Sequence, residues 1–140
     1  MDLSLAAFLI AIVVVGILII LAINLTSRHT PSLDQEEYRS HLDRIEKSLE
    51  KDQPATYTVA IISADKLLDR AMSDLGIPGK TMGDRLKNSG RNRFSELNAV
   101  WYAHKIRNQI AHENGFSPEY RQTLHALSTY KTALKDLGAI

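Results

Sequence analysis

The chain has 140 residues, with 17 Lys and Arg against 16 Asp and Glu and a formal charge of +1 at pH 7. That balance excludes a polycation holding nucleic acid by net charge alone, and the absence of cysteine excludes disulfide staples, thiolate catalysis and thiolate metal sites. The length suits one domain of ordinary size with an appendage.

Leu3 to Leu25 carries no charged residue and is mostly Leu, Ile, Val and Ala. An apolar run of about 20 residues crosses a bilayer as a helix, so this stretch predicts a transmembrane anchor over 1–26. A cleaved signal peptide fits less well: the chain opens Met1-Asp2 without a basic start, and no small-x-small cleavage site follows. Arg28 flanks the C-terminal end, so the positive-inside rule predicts a single-pass membrane protein with its C-terminal domain in the cytoplasm and the lipid bilayer as a partner. Residues 27–32 read as a polar linker in which Pro31 stops the anchor helix. Residues 33–140 read as a helical domain.

Ser32 and Gln35 stand at capping-box spacing and open a helix to about Lys51, with Tyr38, Leu42, Ile45 and Leu49 on one apolar stripe. His29 and His41 have no ligand-like neighbours and read as solvent-exposed. Pro54 opens the next helix, to about Leu75. Tyr57, Ile61, Ala64, Leu68, Ala71 and Leu75 form its stripe, which Val59, Ala60, Ile62, Leu67 and Met72 widen, so it should be the most buried helix. Asp65, Lys66, Asp69 and Arg70 mark its wet side; Asp65 and Asp69 lie one turn apart but have no third ligand at a useful spacing, and no metal or cofactor is expected.

Gly76-Ile77-Pro78-Gly79 turns the chain, and Thr81 with Asp84 caps a short helix. From Lys80 to Arg107 the basic residues Lys80, Arg85, Lys87, Arg91, Arg93, Lys105 and Arg107 face only Asp84 and Glu96. Lys87, Arg91, Arg93 and Lys105 are therefore candidate contacts to a polyanion. Phe94-Ser95 starts a further helix, with Ser95 as cap. Leu97, Val100 and Trp101 serve either a dimer contact or the internal core. Ala99, Ala103, Ile106 and Ile110 form the packing face, while His104, Asn108 and His112 recur every four residues along a polar stripe with Arg107 beside it. Arg offers a planar fork of donors matched to phosphate, and His gives or takes a proton near neutral pH. Gly115 ends this helix; Ser117-Pro118-Glu119 starts the last, with Tyr120, Leu124, Leu127, Tyr130, Leu134 and Leu137 toward the core. The fold class is thus all-α: one transmembrane helix followed by a small antiparallel bundle of four main helices and one short one.

Arg107-Asn108-Gln109-Ile110-Ala111-His112 resembles the Arg-polar-x-x-x-His signature of HEPN domains. These are small helical bundles, and many are metal-independent ribonucleases in which two copies of the motif meet across a dimer. The resemblance covers roughly Gln35 to the end and implies Arg107, Asn108 and His112 as catalytic residues, with His104 as a possible accessory. It implies a homodimer acting on RNA while the ribose 2′-OH attacks the phosphate. Because many HEPN-like domains are not enzymes, a non-catalytic, membrane-tethered interaction module is the alternative. There Arg107 would serve a salt bridge and His112 would cap the helix. His112-Glu113 does not begin a zinc-protease motif, because Phe116 stands where the second His is needed, and there is no serine-hydrolase elbow.

Overall fold

The computed structural model describes the backbone of residues 3–26 and 33–140 and the side chains of 7–22 and 33–140. It contains six helices and, among the described residues, no strand: α1 (Leu3–Thr26), α2 (Gln35–Lys47), α3 (Pro54–Asp74), α4 (Met82–Asn88), α5 (Leu97–His112) and α6 (Tyr120–Asp136). The chain divides into two units, 1–30 and 31–140.

The first unit corrects the expected membrane anchor. Among the described residues no helix is long and apolar enough to cross a membrane; the stretch of α1 with described side chains, 7–22, has 16 residues. The fold class is therefore all-α, and the expected transmembrane helix is not found among the described residues. The linker 27–32, with Arg28, His29, Pro31 and the expected Ser32 cap, lies outside the described residues.

In the second unit the four longer helices alternate in direction. The start of α2 meets the end of α3 where Tyr38 Oη donates to Asp74 (2.7 Å), and Arg70 forks onto Glu37 (2.7 and 3.1 Å). The start of α5 meets the end of α6, where both the backbone N–H and the hydroxyl of Ser95 donate to Asp136 at 2.8 Å. The same-direction pair, α3 and α6, is in contact along its length, from the Tyr57–Tyr120 ring pair to the Tyr130–Asp65 hydrogen bond. The bundle is therefore flattened, with α3 and α6 at its centre, α2 and α5 outside them, and α4 against α3.

Local chemistry sets most element ends. Asp34 caps α2 by accepting from Glu37 N, and the helix stops at Lys47, a turn before the expected Lys51. Gly76, at φ +72°, closes α3: its own N–H bonds Ser73 O and that of Ile77 bonds Met72 O. A side chain at Gly76 would have to adopt the left-handed conformation that glycine alone takes at no steric cost. The Thr81–Asp84 capping box opens α4 as expected. Ser95 does not cap α5, which begins two residues later behind Glu96 because Phe94 is buried and Ser95 is committed to Asp136.

Burial follows the expected stripes with a shift on α6. Its buried face is Thr123, Ala126, Leu127, Tyr130, Ala133 and Leu134, while Leu124 is 44% exposed. Thr123 tolerates burial because its hydroxyl is satisfied within the helix by Glu119 O. Val59 of α3 likewise faces out, and Val100 is in the core, with Leu97 and Trp101 packed against it. Leu68 is fully buried at the centre of α3. Leu68→Ala is expected to destabilise the bundle by about 2–5 kcal/mol, whereas Leu124→Ala should stay within roughly 0.5 kcal/mol. Urea unfolding of the two variants checks this, and equal losses would place the core face wrongly.

Candidate functional site

Helix α5 carries its polar stripe into a cleft of about 620 Å³ walled by α3, α4 and α5. His104, Arg107, Asn108 and His112 all line it, so the four residues singled out by spacing share one opening. Lys87 of α4 joins them. The other candidate polyanion contacts do not: Lys105 is exposed elsewhere on α5, and Arg91 and Arg93 line separate surface grooves beside Phe94 and Asp136. Arg93 spends its Nε on the carbonyl of Ser89 at 3.2 Å.

Asp65 organises the cleft floor, and the wet side assigned to it is a second correction. The residue is 3% exposed. Its Oδ1 accepts from His104 Nδ1 at 2.8 Å and from Tyr130 Oη at 3.0 Å, while Oδ2 faces Arg107 Nε at 3.5 Å. Three helices thus meet on one carboxylate: α3 supplies it, α5 brings His104 and Arg107, and α6 brings Tyr130. A buried carboxylate persists only when paired and hydrogen-bonded, and Asp65 is both. Burial first, and then the adjacent Asp65 charge, push the Tyr130 phenol far above the ordinary tyrosine range, so it remains a donor at neutral pH.

Arg107 is held on two sides. Nε lies against Asp65 without completing a hydrogen bond, and Nη1 donates to Asn108 Oδ1 at 3.2 Å. The guanidinium therefore lies at the cleft wall, beside the Asp65 carboxylate and bonded to Asn108. Trp101 stands edge-on to the His104 ring at 6.2 Å between centroids. Gly83 of α4 is nearby: an added Cβ there would come to 3.9 Å from both His104 Nε2 and Trp101. His112, the last residue of α5, is exposed at the cleft margin.

Asp69, also expected to be solvated, is half-buried and paired with Arg85 at 2.7 Å. Asp84 is occupied by the α4 capping box, and its carboxyl sits below the ordinary range because Thr81 hydrogen-bonds it. Among the described residues, no group of three or more His, Asp or Glu side chains could hold a metal ion. His41, expected to be exposed, is half-buried in a separate groove between α2 and α3 and takes no part in the cleft.

Sequence reading missed Asp65 and Tyr130. One signal was available: Ile61, Asp65, Leu68 and Met72 follow one another at four-, three- and four-residue steps, placing the acid inside an apolar stripe. No family model, curated protein or solved structure matches the chain.

Proposed function

We propose that the cleft binds RNA and cleaves it at a phosphodiester without a metal ion. The observation that carries this reading is the Arg107 guanidinium, set between Asp65 and Asn108 at the wall of a cleft that also takes in His104 and His112. A guanidinium so placed meets two phosphate oxygens at once, and its charge gains weight as the phosphorane develops. His112, at an accessible helix end, exchanges a proton with an attacking or leaving oxygen. The ribose 2′-OH is the internal nucleophile, so the products are a 2′,3′-cyclic phosphate and a 5′-OH.

The test is incubation of the full chain with a labelled RNA oligonucleotide in excess chelator. Cleavage of RNA, and no cleavage of the DNA strand of the same sequence, is expected because DNA lacks the nucleophile. Absence of RNA cleavage, or its loss on adding chelator, overturns the proposal. The alternative, a non-catalytic interaction module, draws on the same contact between Arg107 and Asp65, which in that case only joins α3 to α5. That module would leave RNA intact.

A further inference from the structure

We infer that His104 is a second proton-transfer residue of the cleft, oriented as a base by Asp65, so that one chain carries both the base and the acid of the cleavage. The inference rests on the ribonuclease reading above and assigns its two proton steps.

A carboxylate only accepts, so the 2.8 Å contact fixes the proton of neutral His104 on Nδ1 and leaves the Nε2 lone pair bare. Tyr130 donates to the same Asp65 oxygen, which keeps the carboxylate from turning away. The Trp101 ring stands edge-on to the imidazole, and Gly83 of α4 leaves open the space beside Nε2 that a side chain there would enter. Among the described residues Nε2 makes no hydrogen bond, and the ring lines the cleft. This arrangement, with Nδ1 on a buried acid and Nε2 free in a cleft, is that of a general base with an orienting carboxylate.

The acid stands on the same stripe. Eight residues separate His104 from His112, about 12 Å along the helix axis, with Asn108 and Arg107 between them. The proposal sets the phosphate at Arg107 between the two imidazoles that line the same cleft, each of which must bring a nitrogen to about 3 Å from its oxygen. In the step that follows, the 2′-OH gives its proton to His104 Nε2 and forms the bond to phosphorus. The bond from phosphorus to the 5′-oxygen breaks, and that oxygen takes a proton from His112. Arg107 offsets the added charge on the non-bridging oxygens.

The charged groups around the His104 ring come from every neighbouring helix. Asp65, Lys66 and Asp69 belong to α3, Asp84 and Lys87 to α4, and Arg107 to α5 itself, with the Tyr130 phenol of α6 behind Asp65. Asp69 is committed to Arg85 and Asp84 to Thr81, so Asp65 is the acid in hydrogen-bond contact with the ring.

The test is the pH–rate profile of RNA cleavage by wild type and His104→Gln, with circular dichroism as the fold check. Wild type should give a bell, because one histidine must be neutral and the other charged. His104→Gln should lose about 10²–10³ in kcat, keep KM within a few-fold, and lose the acidic limb of the bell. Long-range nitrogen–proton NMR of the wild-type ring gives a readout that does not depend on a variant folding. It should show the neutral ring with Nδ1 protonated and Nε2 bare. Cleavage by His104→Gln with the acidic limb intact, or an Nε2-protonated neutral ring in wild type, overturns this inference and leaves the ribonuclease reading in place. A wild-type protein that cuts no RNA overturns both.

Discussion

Asp65→Ala is expected to destabilise the bundle by about 3–5 kcal/mol, the usual range for removing one partner of a buried ion pair. Its side chain is 5% exposed, and three partners lose their contact together. Tyr130 would keep a buried hydroxyl with no acceptor, itself a penalty of about 1–3 kcal/mol. Arg107 Nε, already buried without a hydrogen bond, would lose its counter-charge as well. Asp65→Asn should fall between wild type and Asp65→Ala, because the amide keeps an acceptor oxygen but not the charge. Tyr130→Phe should cost about 0.5–1.5 kcal/mol, one net hydrogen bond. Urea unfolding of the three variants measures the series, and a loss under about 1 kcal/mol for Asp65→Ala would mean that the network does not hold α3, α5 and α6 together.

The same network has a pH signature on the alkaline side. The Tyr130 pKa is raised in the folded state, by burial and by Asp65, so the unfolded chain ionises this phenol first. The contribution is fully present below about pH 10, the unfolded value, and declines as pH rises beyond it. In Tyr130→Phe this part of the alkaline decline should be missing.

Much of the bundle could be read from periodicity because a helix records its buried face at steps of three and four residues. Tyr38, Leu42 and Ile45 on α2 and the Ile61–Leu68 stripe on α3 were legible for that reason, as were the Gly76 turn and the Thr81–Asp84 cap. Periodicity failed where a polar residue was satisfied by something distant in sequence. Asp65 looked solvated because its donors lie 39 and 65 residues away, on helices whose packing no local pattern encodes. Thr123 displaced Leu124 from the core because a threonine that bonds its own helix counts as apolar toward its neighbours. The anchor expected in the first unit rested on apolar composition, and among the described residues no helix is long and apolar enough to cross a membrane. The cleft was legible in part. The stripe His104, Asn108 and His112 was visible as spacing, but the walls from α3 and α4, and the loss of Arg91, Arg93 and Lys105 from the site, depend on how the helices pack.

His112→Ala is expected to lower RNA cleavage by about 10²–10⁴-fold, the usual effect of losing a general acid or base, with stability unchanged within roughly 0.5 kcal/mol. The pairing of a large kinetic loss with no thermal loss follows from position. His112 is exposed, closes α5, and makes no side-chain hydrogen bond among the described residues, whereas Ile106 and Ala103 hold the helix to the core. Arg107→Lys tests the other half of the chemistry. Lysine keeps the charge but cannot lie against Asp65 through one nitrogen while donating to Asn108 and phosphate through others. A loss of about 10²–10³ in kcat is expected, as for removal of one oriented donor to a developing oxyanion. Initial rates on a short RNA, with thermal unfolding of the same samples, separate the outcomes. If both variants melt early and cleave in proportion to the fraction folded, the polar stripe is a structural joint. Undiminished cleavage by His112→Ala would remove it as the acid of the reaction.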